Sequence, residues 1–512
     1  MTLASPTGMT AQTAFNLTIE DSFTIEISDI EDVATASDIP IHLTVAVSEN
    51  KMITLTALSS DPALLSNMNL GGSGYSGIIE TLTANVEKEL TLTYDQSATG
   101  HGRVTVTVLA DSGDHAVTST FFVLVSPSGS AHALRFDGNQ YVNCGDDIYL
   151  DNRSFSIEFW MKRTSSGSHD FMIGHGSSGA NSSLTIGFRD TNVFNFNFYS
   201  NGVATSETYT DTNWHHWAVT YESGTKERKI FRDGVLKGND ISASHYLGIG
   251  NFYIGVSDSM NFYSNDLIDE LRIWNDVRTQ TEIQDSMCKK IAPDESLIAY
   301  YRFDHLSGNT LIDLSGNNHH GTLNNMTDSN WILSEAALGD MSAHDYTGTA
   351  ASDFSVSIAH ADGDAFTAAG DSGNYSGIQI YLVNSSPNKL TPPAGYSSID
   401  TDHYYGVYPV GELPTYSIAY NYSGNTYAGD GTDLQMAYRV NNAGDWTGMD
   451  STHHISETSL VKSGISALSH EFTLGKNDAP TIATLFDQFT QKIQRPIQSL
   501  LQWQILIMMY SL

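Results

Sequence analysis

Between Phe15 and Val125 apolar and polar residues alternate with period two. Ile41, Leu43, Val45 and Val47 are interleaved with His42, Thr44 and Ala46; Leu90, Leu92 and Tyr94 with Thr91 and Thr93; Val104, Val106 and Val108 with Thr105 and Thr107. Neighbouring side chains on a strand face opposite ways, so the pattern predicts strands with one face on a core and one on solvent. Turn formers punctuate them at Gly71-Gly72-Ser73-Gly74, Ala98–Gly102 and Asp111–Asp114. That spacing predicts a sandwich of about seven strands over 21–127. Beyond the short linker Ser126–Ser130, the strands of 131–325 become aromatic, as in Phe155–Trp160, Trp214–Tyr221 and Ile268–Trp274. Thr279–Met287 is the one convincing helical stretch of the first two domains, and Arg232-Asp233-Gly234 has the Asp-Gly chemistry of a tight hairpin. A tyrosine-rich stretch at 336–476, with Tyr404–Tyr408 and Tyr416–Tyr422, alternates again and predicts a third sandwich. The fold class is therefore all-β, a row of tandem sandwiches.

Two stretches have specific likenesses. Ile27-Ser-Asp-Ile30-Glu31-Asp32, Ile53–Ala57, Gly100–Asp111 and Phe121–Val125 together resemble the cadherin-like, immunoglobulin-like repeats of large bacterial surface proteins. Leu134-Arg-Phe-Asp-Gly138, Tyr141–Gly145, Phe155–Trp160, Trp214–Tyr221, Phe231–Gly234 and Ile268–Trp274, in this order, resemble the laminin-G-like, concanavalin A-like jelly roll. A jelly roll is a double antiparallel sheet with aromatic and β-branched side chains between its layers. Trp160, Trp214, Trp217 and Trp274 are accordingly expected in the core rather than as sugar platforms.

The two ends are read from the same patterns. Residues 1–20 look like the tail of a preceding repeat, because Phe15–Ile19 followed by Glu20-Asp21 has the layout of Phe472–Leu474 followed by Asp478-Ala-Pro480. From 477 to 512 a further repeat is expected to begin and then break. Read one codon position out of frame, Trp503-Gln504 encodes alanine, and with suitable synonymous codons the segment from Gln491 resembles Glu31–Ser37 followed by Ile41–Val47. The expectation is a frameshifted start; the rival reading is an amphipathic anchor, although the apolar run Leu500–Leu512 is too short to span a bilayer.

Charge narrows the function. Lys+Arg 24 against Asp+Glu 58 gives 24 − 58 = −34 in 512 residues. A surface of that sign repels phosphate backbones and anionic headgroups, which argues against nucleic acid and membrane as partners. It suits hard cations, which take carboxylate and carbonyl oxygens. In the resembled jelly rolls one Ca²⁺ often sits where the first and last core strands meet; the matching positions are Asp137 and Asp269, with Gly138 offering a carbonyl. The bland alternative is a turn at Asp137 and a strand-end hydrogen bond at Asp269. Two cysteines cannot frame a disulfide scaffold, but Cys144 and Cys288 could form one bridge if their strand ends are neighbours, or remain free thiols.

No catalytic residue is expected. Retaining glycosidases need paired carboxylates about 5–5.5 Å apart. Here Ser156-Ile-Glu158 and Asp269-Glu270 each offer one acid per face, on the assumption that strand neighbours alternate. The pairs His215-His216, His319-His320 and His453-His454 cannot chelate a metal by themselves for the same reason. The sequence thus predicts a non-catalytic binding and adhesion protein, extracellular or on a bacterial surface, a monomeric module of a larger chain. It would recognise a glycan or another surface protein through loops such as Ser165–His169 and Ser257–Asn265. The competing reading is the carbohydrate-targeting part of a polysaccharide-active enzyme.

Overall fold

The alternation is realised as burial. In the computed structural model Ile41, Leu43, Val45 and Val47 are buried, as are Leu90, Leu92 and Tyr94, and Val104, Val106 and Val108. The structure describes residues 2–4, 10–12 and 23–478, apart from 29, 31–32, 36–40, 71–76, 97–101, 126–131, 293, 305–307 and 467–468. The readings of 1–20 as a repeat tail and of 477–512 as a frameshifted start fall almost wholly outside these residues.

The chain divides into two units, Met1–Val125 and Ser126–Leu512. In the first, a sheet of five strands in the order Val33–Thr35, Ala116–Val125, Gly102–Asp111, Lys51–Ser59, Gly77–Leu82 faces one of four, Ile25–Ile27, Ile41–Val47, Lys88–Gln96, Leu65–Leu70. This is a sandwich of nine strands where about seven were expected. Two of the nine, Ile25–Ile27 and Val33–Thr35, are three residues long and too short to show alternation in sequence. Val33–Thr35 adds a parallel edge to Ala116–Val125.

The second unit contains two sandwiches, the second made by a single ten-stranded sheet, 341–477, doubled over where its long strands bend. The first is a jelly roll of two eight-stranded sheets. Strands Phe155–Lys162, Trp214–Tyr221 and Leu267–Trp274 lie adjacent in one sheet; Asp170–Gly176, Ser183–Phe188 and Phe252–Ile254 lie adjacent in the other. Phe155, Ile157, Phe159 and Met161 point into the shared core with Trp217, Val219 and Tyr221. The helix is Gln280–Ser286, held at its start by a capping box in which Thr279 and Glu282 satisfy each other's backbone N–H groups.

The last sandwich is organised by two long strands, Ala365–Val383 and Tyr404–Asn421, paired along their length with irregularities between Gly370 and Gly377. Such interruptions bend a strand pair, and here the two halves serve different neighbours. Ala365–Ala369 pairs with Ser355–Ala359, while Ile378–Leu382 pairs with Met341–Asp345. Phe366, Ile380, Tyr405, Tyr416 and Phe472 fill the space between the layers.

The outer face of the jelly roll's first sheet is not solvated. Trp160, Trp214 and Leu267 share an apolar cluster with Tyr381, Val383, Tyr404, Tyr408 and Trp446 of the last sandwich. The Trp160 indole donates to the Met287 carbonyl at 2.7 Å and packs edge-on against Tyr408, ring centres 5.2 Å apart. All four tryptophans expected in the core are buried, but Trp160 and Trp214 serve this seam and Trp217 the jelly-roll interior.

Candidate binding cleft

A cleft of about 780 Å³ opens beside the seam, walled by both sandwiches of the second unit. Its jelly-roll wall starts from a hairpin. Glu227–Arg232 and Val235–Ile241 are joined by Asp233 (φ +52°) and Gly234 (φ +74°). Two positive φ values make the primed turn that matches strand twist, as the Asp-Gly pair predicted. The turn delivers Asp233 to the end of strand Trp214–Tyr221, where its Oδ1 accepts from the His216 amide at 3.0 Å.

His215 lies between two carboxylates, Nδ1 2.7 Å from Asp233 Oδ2 and Nε2 2.7 Å from Asp211 Oδ1. Burial alone would lower its pKa, but the Asp233 charge and the hydrogen bonds the imidazole donates to both carboxylates outweigh that and raise it. Burial opposes ionisation of Asp211 and Asp233 too, and the His215 and Arg232 cations nevertheless hold both below the usual carboxylate range. Arg232 donates to Asp211 Oδ2 at 2.8 Å and stacks over Tyr209, 4.3 Å from the ring centre. Lys237 reaches Glu207 at 3.1 Å. From the opposite wall the Tyr408 hydroxyl donates to Asp233 Oδ1 at 2.9 Å, and Glu412, Asn374 and Ser376 face the opening. Val235, Val410 and Leu413 supply apolar surface. Glu207, Asp211 and Asp233 balance His215, Arg232 and Lys237, so one wall of a strongly acidic protein is locally neutral and dense in fixed donors and acceptors.

The residues expected to hold calcium do not converge. Leu134 pairs with Ile268 and Arg135 with Leu267, and the Gly138 amide donates to the Ser264 carbonyl. Antiparallel register therefore sets Asp269 level with Ala133, four residues or about 13 Å of strand from Asp137. Asp137 is half exposed and pairs with Arg135 at 3.2 Å. Asp269 is fully buried and accepts from Ser334 Oγ and the Glu270 amide.

The expectation of one acid per face also fails. Glu158 pairs with Arg272 and Trp160 with Asp269, so Phe159 alone stands opposite Glu270 and Leu271. This bulge, with Glu270 at φ +52°, breaks the alternation. Arg272 contacts Glu158 at 3.4 Å and Glu270 at 2.9 Å, Tyr300 donates to Glu270 at 2.6 Å, and Asp304 pairs with Arg302 at 2.7 Å. Glu158, Asp269, Glu270, Arg272 and Asp304 are each at most 2% exposed, which leaves a substrate no route to them.

No bridge joins the cysteines: both are free and buried. Cys144 sits between the jelly-roll sheets and Cys288 in the seam cluster, so a sheet separates them. The loops Ser165–His169 and Ser257–Asn265 lie away from the cleft and pack together, with His169 and Phe262 ring centres 5.0 Å apart. Among the described residues no helix is long and apolar enough to cross a membrane.

In sequence His215 stands only as half of a pair unable to chelate a metal, and Asp211, Arg232, Lys237, Tyr408 and Glu412 are not among the expected site residues. The usable signal was local: a charged run about the Trp214-His-His-Trp217 strand and the neighbouring Asp-Gly hairpin.

Comparison with known families bears on the jelly roll. Residues 136–284 match the model of the concanavalin A-like lectin/glucanases superfamily. The matched segment includes Asp211, His215 and Arg232. Among curated proteins none matches the chain. Solved structures similar to it include a protein from Bacteroides ovatus proposed to bind carbohydrate, at 15% identity over 62% of this chain and 99% of that one with a TM-score of 0.34. Domain 4 of the extracellular arabinanase AbnA from Geobacillus stearothermophilus, solved with arabinotriose, is 17% identical over 35% of this chain and 80% of its own, TM-score 0.23. The CBM40 of a Ruminococcus gnavus IT-sialidase is 12% identical over 30% and 96%, TM-score 0.23. The jelly-roll assignment rests on the family match and the strand order, not on these scores.

Proposed function

We propose that this chain is a non-catalytic glycan-binding protein that holds an uncharged sugar in the cleft between its jelly roll and last sandwich. The supporting observation is the wall on which Glu207, Asp211 and Asp233 balance His215, Arg232 and Lys237, beside the apolar Val235, Val410 and Leu413. Sugar hydroxyls take paired donors and acceptors, sugar C–H faces take apolar surface, and a wall without net charge suits neither a nucleotide nor a polycation. In this reading the 21–127 sandwich is a cadherin-like spacer and the protein works outside the cell, in adhesion. The cleft's one imidazole is held by two carboxylates and the buried acids of the jelly roll have no access to solvent, which supports binding without hydrolysis.

The test is a glycan array probed with the full chain, followed by titration of the best neutral glycan. Arg232→Ala and Glu412→Ala should each weaken binding about ten-fold or more, in keeping with a lost charge-assisted hydrogen bond of about 1.5–3 kcal/mol. Binding that both variants leave intact would remove the cleft from the reading. New reducing ends in the bound glycan would contradict the non-catalytic assignment.

A further inference from the structure

Two short motifs of the last sandwich mirror each other: His360-Ala-Asp362-Gly-Asp364 and Asp400-Thr-Asp402-His403. The first is the turn between strands Ser355–Ala359 and Ala365–Val383, and the second joins Tyr396–Ile399 to Tyr404–Asn421. The fold brings them together. One ligand atom each from His360, Asp362, Asp364 and His403 lies within 4.8 Å of all the others. Among the described residues these four form the group dense enough in histidine and carboxylate to hold an ion.

The setting is built. Asp364 and His403 are fully buried. Asp364 accepts from the hydroxyls of Tyr405 and Tyr420 and from Asn425 Nδ2 at 2.9 Å. Donors of this kind orient the carboxylates of metal sites. Asn425 also donates to Asp400, which ties the second loop to the first. His360 and His403 are stacked with ring centres 3.9 Å apart.

One contact in the cluster sets a nitrogen lone pair against a carboxylate oxygen. His360 Nε2 lies 2.7 Å from Asn384 Oδ1, an acceptor, so the ring proton belongs on Nε2. Its Nδ1 then accepts a long hydrogen bond from the Asp362 amide at 3.5 Å and also faces Asp362 Oδ1 at 3.0 Å. His403 Nε2 faces Asp364 Oδ2 at 2.9 Å. One ion drawn in among these nitrogens and carboxylates would engage all four groups.

We propose that His360, Asp362, Asp364 and His403 bind one divalent transition-metal ion, zinc being the best match, which pins the two loops together at this end of the sandwich. Two imidazoles and two carboxylates are a tetrahedral zinc donor set with metal–ligand distances of about 2.0–2.2 Å. Such distances put ligands about 3.4 Å apart, between the two short N···O contacts and the 4.8 Å within which all four ligand atoms lie. Calcium would prefer six to eight oxygens and leave the imidazoles unused.

The full chain, stripped with chelator and dialysed, is titrated with zinc while bound metal and melting temperature are measured. One zinc per chain and a rise in Tm are expected. His360→Gln and Asp362→Asn, at the more accessible side of the cluster, should weaken zinc binding about ten-fold or more while the metal-free proteins melt near the parent temperature. In the unaltered chain, zinc should shift the imidazole ¹⁵N resonances of His360 and His403, a readout independent of how the variants fold. No bound zinc, unmoved imidazole resonances, variants that bind as tightly as the parent, or a Tm that responds to calcium but not zinc would each overturn the assignment.

Discussion

Asp266 and His215 are both enclosed beside charge, and their surroundings act in opposite directions. Asp266 is fully buried, and desolvation, aided by the Asp170 charge, pushes its pKa up to about 7. A carboxyl whose folded pKa is raised gives stability at low pH that is lost as pH rises through the folded value. Asp266→Asn can still accept from the Thr164 amide, as Oδ1 does at 2.9 Å, so the variant should melt higher than the parent at pH 8 and close to it at pH 5. Equal shifts at both pH values would remove the titration argument. His215 also has a raised pKa, so its ion pairs contribute fully below the unfolded value of about 6.5 and are lost as pH rises through the folded one. Asp211 and Asp233 are held low; their contribution is present above about 3.8 and is lost in acid as pH falls through their folded values. Glycan affinity should thus be greatest at mildly acidic to neutral pH and fall on the alkaline side, read by titration across pH. The thiols are governed chiefly by burial: desolvation raises Cys144 to about 12 and Cys288 upward as well. Neither should react with a disulfide reagent until the protein unfolds, and reductant should leave the intact mass unchanged; a loss of two hydrogens in the native mass would restore the bridge.

At the level of elements, alternation was a reliable guide until a bulge intervened. It located the face of Phe155–Lys162 that turns to the jelly-roll core and failed at Asp269-Glu270, where two residues stand opposite one. No residue-type signal marks that position, since Glu is an unfavourable choice for φ +52° and persists here because Arg272 and Tyr300 bind its carboxylate. The hairpin at Asp233-Gly234 is the opposite case, legible because its residues are those the turn requires. A Cβ on Gly234 would stand 2.8 Å from Gln284 Cγ and 3.1 Å from the Tyr346 hydroxyl, at φ +74°. Gly234→Ala should therefore cost about 1–2 kcal/mol from the backbone conformation alone, measured by denaturant unfolding, and should weaken ligand binding by moving Asp233. A variant with parental stability would show that the turn relaxes freely.

For the molecule as a unit, the consequential surface is the seam. Sequence reading treated 131–325 and 336–476 as separate modules, whereas the structure joins them through Trp160, Trp214, Tyr381, Tyr404 and Tyr408. Polar links reinforce the joint: Tyr346 donates to the Asp233 carbonyl at 2.9 Å, and Gln379 to the Gln284 carbonyl at 2.8 Å. Emptying the Trp160 site should cost about 3–5 kcal/mol, the usual range for a buried Trp→Ala change. In calorimetry of the full chain, Trp160→Ala should lower one transition shared by both sandwiches and leave that of the first unit in place. Separate transitions for jelly roll and last sandwich in the parent would refute a common cooperative unit.

The sequence by itself determined the all-β class, the faces of most long strands, the jelly roll, the capped helix and the Asp-Gly hairpin. Each follows from short-range periodicity or from residues with narrow backbone preferences. Tertiary structure decided what depends on register and on packing between distant segments. A four-residue offset separates Asp137 from Asp269, an intervening sheet separates Cys144 from Cys288, and two strands 39 residues apart in start, Ala365–Val383 and Tyr404–Asn421, bring His360 and His403 into contact. Side chains that meet only after folding carry no common signal along the chain, and both the cleft and the histidine–aspartate cluster are made of such side chains.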